Sequence, residues 1–370
     1  MSAARWILAG GGTGGHVSMA LALGEAIAER GDPVLFVGAE GGLEGRLVPE
    51  AGFDLVMLPA GRWMGAGAAA RARALVDLAR GARAARAVLR RFAPDVVFSV
   101  GGYAALPAVA AACLRRTPVA LVEPNAVPGR ANRLAGRWAR AVYLAFDAAA
   151  PAFPRARARG ALRVSGVPLR RGLLAAFAAA APRREPKPPL RLLVFGGSQG
   201  ARQLNDAMLD ALPRLDATQL EIAHQTGAAD RARVAEGYAR AGFQAEVFDF
   251  DPDMPRRYRR ADLALCRAGA ITVAELALAG LPALLVPYPY AADDHQTANA
   301  AELARAGAAR LLDPRRFDAA RLAGALADLL AEPSRLGEMS RCARALARPD
   351  AAREIVEDCR ARIARTRERV

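Results

Sequence analysis

Two segments of this chain share one construction, a short apolar strand, a glycine-rich loop and a helix, and that repetition limits its possible folds more than any other feature. Trp6 to Ala9 reads as strand, Gly10 to Gly15 as loop and Val17 to Glu29 as helix, with Gly31 as a stop and a further strand from Val34 to Val37. The pattern restarts at Leu190 to Phe195, with the loop Gly196-Gly-Ser-Gln-Gly200 and a helix beginning near Ala201. Other apolar strands are expected at Leu55 to Leu58, Val96 to Val100, Val119 to Val122, Val142 to Leu144, Leu220 to Ala223, Ala245 to Phe248, Leu263 to Cys266 and Ala283 to Val286. Strands alternating with helices in this way make parallel sheets covered on both faces. The stretch Pro182 to Pro189 carries four prolines, which suit neither a helix nor a central strand, so it reads as a stiff connector. The expectation is an α/β chain of two facing doubly wound domains, which 370 residues accommodate.

Composition narrows the partners. At 53% hydrophobic and 24% charged the chain can bury a core and is unlike a disordered one. The net charge of +15 is uneven: residues 1–180 hold 23 arginines against 11 acids, the remainder 29 basic residues against 26 acids. Such a surplus suits an anionic partner, whether nucleic acid, a membrane surface or a phosphorylated substrate. Cys113, Cys266, Cys342 and Cys359 form no CxxC and have no histidine at metal-ligand spacing, which fits a reducing, cytoplasmic setting. No signal peptide is expected. Val96 to Leu114 is uncharged and long enough to span a bilayer, but Gly101, Gly102 and Pro107 break it into a strand, a turn and a helix.

The loops carry the candidate chemistry. Gly10 to Gly15, followed by His16, follows a strand and opens a helix, where backbone N–H groups and the helix dipole can hold an anion. It also fits GxGxxG through Gly10, Gly12 and Gly15, so a dinucleotide reading is open, with Glu40 late for the ribose-binding acid; a tight turn without a ligand is the plain alternative. The second loop adds the Ser198 hydroxyl and reads as a phosphate site or a structural turn. His16, His224 and His295 are the three histidines, each expected in a loop at the carboxyl end of a strand or at the start of a helix; His16 suits general-base work, since an imidazole titrates at about 6.5. From Cys266 to Glu275, backbone amides at Ala270 to Thr272 can meet phosphates. Glu275 can accept paired ribose hydroxyls, or serve as a first-turn acid that offsets the dipole. Pro287 to Asn299 is rich in groups that hydrogen-bond sugar hydroxyls. Asp251-Pro-Asp253 resembles a metal-binding DxD, although a helix N-cap at Asp253 is the more ordinary account.

Taken in order, GGTGGH (Gly11 to His16), GGY (Gly101 to Tyr103), the E-x-N-A-V-P-G stretch (Glu123 to Gly129), GGSQGA (Gly196 to Ala201), HQTG (His224 to Gly227), CRAGAITVAE and DDHQTANA resemble the MurG family within glycosyltransferase family 28. The resemblance runs over essentially the whole chain. It implies a GT-B fold of two facing Rossmann-like domains around a cleft, with an acceptor domain over 1–168, a donor domain over 169–348 and a last helix, 349–370, packed back on the first. It implies inverting transfer of N-acetylglucosamine from UDP-N-acetylglucosamine to the muramyl 4-hydroxyl of an undecaprenyl-diphosphate-linked muramyl peptide. The setting it implies is peripheral, on the cytoplasmic face of the bacterial inner membrane. Carried over by position, donor-site residues fall on Thr13, Gly14, Gly15, Asn125, Arg170, Ser198, the run Ala270, Ile271, Thr272, Val273, Ala274 and Glu275, and Gln296. His16, Tyr103 and Glu123 fall on positions tied to acceptor binding or activation, with His16 the first choice of base and orientation of the acceptor diphosphate its competing role. No cofactor and no metal site is assigned, because glycine loops can hold a diphosphate without one. Ser18, Met19, Pro124, Val167 and Asp251 depart from the family pattern.

The basic surplus then acquires a candidate purpose. Leu75, Leu78, Ala82, Ala85, Leu89 and Phe92 gather on one helix face and Arg73, Arg80, Arg83, Arg86 and Arg90 on the other. Such a helix can dock on the first domain and turn arginines toward anionic lipid, with Trp63 and Met64 inserting; the alternative is a solvated face with Trp63 in the core. A membrane surface rather than nucleic acid is then the expected anionic partner. Rival readings are a lipid glycosyltransferase acting on diacylglycerol, a nicotinamide-dependent oxidoreductase, and a nonenzymatic nucleic-acid or membrane-surface protein.

Overall fold

The computed structural model describes residues 3–59, 68–178, 185–197 and 200–367. The chain divides into two compact units, one of Met1–Arg171 with Arg348–Val370, the other of Gly172–Ala347. The division thus falls after Arg171, where the sequence reading places it after residue 168.

The first unit holds a seven-stranded sheet: β1 Trp6–Gly10, β2 Val34–Ala39, β3 Leu55–Leu58, β4 Val96–Gly101, β5 Val119–Glu123, β6 Ala141–Leu144 and β7 Leu162–Val164. All neighbours run parallel, in the order β3-β2-β1-β4-β5-β6-β7. The second unit repeats the scheme with β8 Leu190–Phe195, β9 Leu220–Gln225, β10 Ala245–Phe248, β11 Leu263–Cys266, β12 Ala283–Leu285 and β13 Ala309–Leu311, in the order β10-β9-β8-β11-β12-β13. In both sheets the order reverses beside the first strand, and open α/β sheets bind ligands at the carboxyl ends of the strands there. The glycine loops after β1 and β8 lie at these reversals.

The strands are apolar on both sides because helices cover both faces. Ile7, Val97, Leu121 and Val142 pack with Ala85, Leu89, Ala108 and Ala112 from the helices Ala68–Phe92 and Leu106–Leu114 in the first core. Leu192, Val194, Ile222 and Leu265 pack with Leu204, Met208, Leu322 and Leu326 in the second. The apolar run from Val96 to Leu114 resolves into β4, a short turn and the helix Leu106–Leu114, and no helix among the described residues is long and apolar enough to cross a membrane. Two strands, β7 and β13, have no counterpart in the sequence reading; each is only three residues long and lies at a sheet edge.

The helix Ala351–Arg367 docks on the first unit through charge. Asp32 is almost fully enclosed and accepts from Ala4 N at 3.0 Å and Trp6 Nε1 at 3.2 Å, while Arg360 Nη1 lies 2.9 Å from its Oδ2. Nearby, Tyr143 donates to Asp358 at 2.7 Å, and Arg362 pairs with the same carboxylate at 2.6 Å. These groups hold the Asp358 carboxyl below the usual carboxylate range against the opposing effect of burial. The Arg30–Glu357 pair, by contrast, is open to solvent, with side chains 39% and 43% exposed. Removing one member of a buried pair leaves an uncompensated charge and costs about 3 kcal/mol or more, whereas an exposed pair is worth about 0–1 kcal/mol. Arg360→Ala is therefore expected to lower the thermal midpoint by several degrees and Glu357→Ala to leave it nearly unchanged. Equal shifts in calorimetry would show that the buried pair does not hold this helix.

Candidate functional site

In the first unit the site is built from the loops after β1, β4 and β5. Thr13 caps the helix Gly14–Ala28, and its Oγ1 lies 2.8 Å from His16 Nδ1. The other edge of the imidazole faces the loop after β4: a Cβ at Gly101 would sit 3.3 Å from His16 Nε2 and 3.1 Å from Asn132 Nδ2. The Tyr103 ring closes the same corner, because a Cβ at Gly12 would come 2.9 Å from its Cε1. Gly12 also has a φ of +85°, so both backbone and neighbour require glycine.

Glu123, at the end of β5, is enclosed. Its Oε1 accepts from Asn125 N at 3.0 Å and Asn125 Nδ2 at 3.2 Å, and its Oε2 from Gly129 N at 3.1 Å and Asn132 Nδ2 at 2.9 Å. Burial pushes its carboxyl up, and these bonds oppose that shift. A carboxylate so surrounded by donors organises the loop 123–129 and sets Asn125, which changes its part from base to anchor. Asn132, which the sequence reading does not single out, joins this anchor to Ser99 on β4 and lies beside the Gly101 corner that His16 faces. The structure thus gathers Thr13, Gly14, Gly15, His16, Tyr103, Glu123 and Asn125 at one end of the sheet.

Arg170, a donor-site residue by resemblance, pairs with an acid of the first unit. Its Nε lies 2.6 Å from Glu25 Oε1 on the helix Gly14–Ala28, and Arg171 N donates to the other oxygen at 2.8 Å. In this conformation its charge is met by an acid of the same unit.

In the second unit, loops after five strands carry the candidate groups. Gly200, with φ of +72°, lies so close to Thr226 O that a side chain there would overlap it. Gln225 Nε2 donates to Gly197 O at 3.1 Å and Asp249 O at 3.3 Å, tying the loops after β8, β9 and β10 together. Ser198 lies outside the described residues. His224 is fully buried within β9, so the loop position expected for it does not hold. Asn205 Nδ2 donates to Thr226 O and Asp230 Oδ2, so its Oδ1 accepts from His224 Nε2 at 3.0 Å, and Nδ1 must then accept from Tyr238 OH at 2.8 Å. Burial lowers the imidazole to about 3. His224 is a neutral structural pin.

The helix Ala270–Ala279 starts after β11 with Gly269 as its cap, so its first amides, at Ala270, Ile271 and Thr272, have no partner inside the helix. Val273 N is already bonded to Gly269 O at 2.9 Å. Glu275 is the sixth residue of that helix, which removes the first-turn reading. Its Oε2 accepts from the buried Tyr258 OH at 2.8 Å, and burial raises its carboxyl to about 7. Gln296 Oε1 accepts from Tyr288 N at 2.9 Å and Ala268 N at 3.3 Å, joining the loops after β11 and β12 and leaving the Nε2 amide as its donor. Arg267, inside the CRAGA stretch but not singled out from sequence, donates to Val286 O, Pro287 O and Gln203 Oε1 and brings a partly buried cation to these loops.

Asp251 and Asp253 have ordinary employment. Asp253 caps the helix Met254–Arg260 by accepting from Arg256 N at 3.1 Å. Asp251 accepts from Asp253 N at 2.8 Å and pairs with Arg257 Nε at 2.6 Å. No group of three potential metal ligands occurs among the described residues.

On the helix Ala68–Phe92, Ala85 and Leu89 are buried while Arg80, Arg83, Arg86 and Arg90 are exposed. Trp63 and Met64 lie outside the described residues, as does the Arg73 side chain. Exposed apolar groups lie elsewhere in the unit as well: Leu114 at 72%, followed by Arg115 and Arg116, and Trp138 at 52%, following Arg137.

Comparison with known proteins agrees with this arrangement. The glycosyltransferase family 28 N-terminal domain matches residues 6–144, and the family's C-terminal domain matches residues 191–355. The chain is 45% identical over 364 residues to a protein of Syntrophotalea carbinolica named UDP-N-acetylglucosamine--N-acetylmuramyl-(pentapeptide) pyrophosphoryl-undecaprenol N-acetylglucosamine transferase, covering 96% of this chain and 98% of that one. A Myxococcus xanthus protein of the same name is 41% identical, covering 95% and 91%. The crystal structure of MurG from Acinetobacter baumannii superposes with a TM-score of 0.80 at 32% identity, covering 96% of this chain and 98% of that one. The chain therefore belongs to glycosyltransferase family 28.

Proposed function

We propose that this chain transfers N-acetylglucosamine from UDP-N-acetylglucosamine to the 4-hydroxyl of an undecaprenyl-diphosphate-linked N-acetylmuramyl pentapeptide, with inversion at the anomeric carbon, as a step of peptidoglycan synthesis. The observation that carries this reading is the match, over nearly the whole length, to relatives named for that transfer. The oxidoreductase reading leaves the second glycine loop and the Gln296 segment without a task, and the family match sets it aside.

The donor is assigned to the second unit. The unpaired amides of Ala270, Ile271 and Thr272 face the diphosphate with the positive end of the helix dipole, and Ser198 adds a hydroxyl. Glu275 takes the ribose hydroxyls, held at its other oxygen by Tyr258. The Gln296 amide takes the sugar. As UDP departs, negative charge grows on the diphosphate, and donors fixed in advance stabilise it without reorganising.

The acceptor is assigned to the first unit. His16 removes the proton of the attacking hydroxyl at Nε2, which requires the Nδ1–H tautomer with Thr13 Oγ1 accepting. Glu123 sets the loop bearing Asn125 beside it, and Tyr103 shapes the corner. A positioned base contributes about 10²- to 10⁴-fold. His16→Ala is expected to lower kcat/KM by that factor in an assay with labelled donor and lipid-linked acceptor, while a loss of only a few-fold would sink both roles given to His16.

The Glu275 carboxyl, raised to about 7, gives the donor step a pH dependence. The neighbouring titratable groups, Tyr258 and Cys266, are both pushed up by burial and stay neutral through this range. Only the ionised Glu275 accepts from two hydroxyls at full strength, so kcat/KM for the donor falls about tenfold per unit below that pH. Glu275→Gln is expected to flatten this acid limb while lowering the plateau. An unchanged limb in the variant would assign the titration to another group.

The arginines of the helix Ala68–Phe92 serve to hold the enzyme peripherally on an anionic membrane. At about 1 kcal/mol per arginine, changing Arg80, Arg83 and Arg90 together to glutamine weakens binding to anionic vesicles by roughly a hundredfold. Binding that ignores both the substitutions and the lipid charge would remove the membrane role from this face.

A further inference from the structure

Beneath the first glycine loop lies a carboxylate to which the reaction described above gives no task. Glu44 follows β2, opens the short helix Glu44–Glu50 and is 1% exposed. Its Oε1 accepts from Ala39 N at 2.9 Å, at the end of β2, and its Oε2 accepts from Gly12 N at 2.9 Å, inside the loop after β1. Three glycines from separate stretches leave room for it. A Cβ at Gly11 or Gly42 would overlap its carboxyl group, and one at Gly38 would overlap its Cγ. The socket is thus shaped for a carboxylate and lined by backbone amides.

Two consequences follow from that geometry. An amide of a glycine loop at this place in an α/β sheet is otherwise available to a bound phosphate, and here the Gly12 amide is already satisfied by a fixed negative charge. Gly12 also directly precedes Thr13, which caps the helix and holds His16 at Nδ1. Whatever fixes Gly12 therefore fixes the start of the segment that carries the imidazole.

We propose that Glu44 is a positioning residue for the acceptor half of the reaction: a built-in anion that occupies the Gly12 amide and sets the Thr13 and His16 segment in its working geometry. The inference rests on the reading that His16 serves the acceptor. It also accounts for the Gly12 amide of a glycine loop of dinucleotide type, because the loop carries its own anion.

The test uses the full-length enzyme with labelled donor and lipid-linked acceptor, and three variants. Glu44→Gln keeps the size of the side chain but turns an NH₂ group toward one of the two N–H donors. It is expected to lower kcat by roughly a hundredfold, the effect of a misplacement of about 1 Å at a reacting group, with the affinity for UDP within about twofold of the parent. Glu44→Ala vacates the socket, and formate is expected to restore part of its activity, whereas formamide and chloride do not. His16→Ala is measured alongside. Near-parental kcat in Glu44→Gln with a crippled His16→Ala overturns the positioning role alone. An unaffected His16→Ala overturns the reading on which it rests. Loss of UDP affinity together with kcat, a lowered thermal midpoint and no rescue by formate would reduce Glu44 to a structural residue and overturn the proposal.

Discussion

The glycine loops assigned to the two substrates depend on the reversal of strand order beside β1 and β8. On either side of the reversal the crossover helices lie on opposite faces of the sheet, so the loops leaving the central strands part and expose their amides. In the first unit the loops after β1 and β4 meet there, bringing His16 against Gly101 and Tyr103 against Gly12. In the second, the loops after β8 and β9 are joined by Gly200 and Gln225, and those after β11 and β12 by Gln296. Glycine is demanded where backbone approaches backbone, and polar side chains serve as cross-ties between loops that share no strand.

Much of this was legible in the sequence because the relevant signals are local. A short apolar run, a glycine cluster and a helix start identify a strand, a loop and the end of the sheet at which that loop lies. The long central strands were readable for this reason, while β7 and β13 were not, since three residues at a sheet edge carry no periodicity. The active loops were readable as motifs, but the partners of their side chains were not. Glu123 looks like a reactive carboxylate until its four donors are seen, two from Asn125, one from Gly129 and one from Asn132. Arg170 is answered by Glu25, which no spacing rule connects to it. Glu44 was invisible because the amides that hold it belong to backbone, and backbone amides have no letter in a sequence.

The polar interior follows one rule in both units: buried polar groups are met by specific partners, and their ionisation follows from those partners. His224 has an acceptor on one nitrogen and a donor on the other, so it remains neutral. Glu275 is buried and, among the described residues, accepts from the Tyr258 hydroxyl alone, too little to offset burial, so its proton is harder to remove. Asp251 is paired with Arg257 and stays ionised below the usual carboxylate range, although burial opposes this. Of the three, only Glu275 is held near neutrality.

The helix Ala351–Arg367 belongs to the first unit although the whole second unit precedes it in the chain. The second unit is in effect an insertion, and among the described residues its core cluster around Leu192 and Leu265 draws on none from outside 172–347. During synthesis it can close while the first unit still lacks its last helix and Asp32 still awaits Arg360. The domain made first is therefore the one finished last, and a stop at Ala351 would harm the sheet that begins at Trp6 while sparing the one that begins at Leu190.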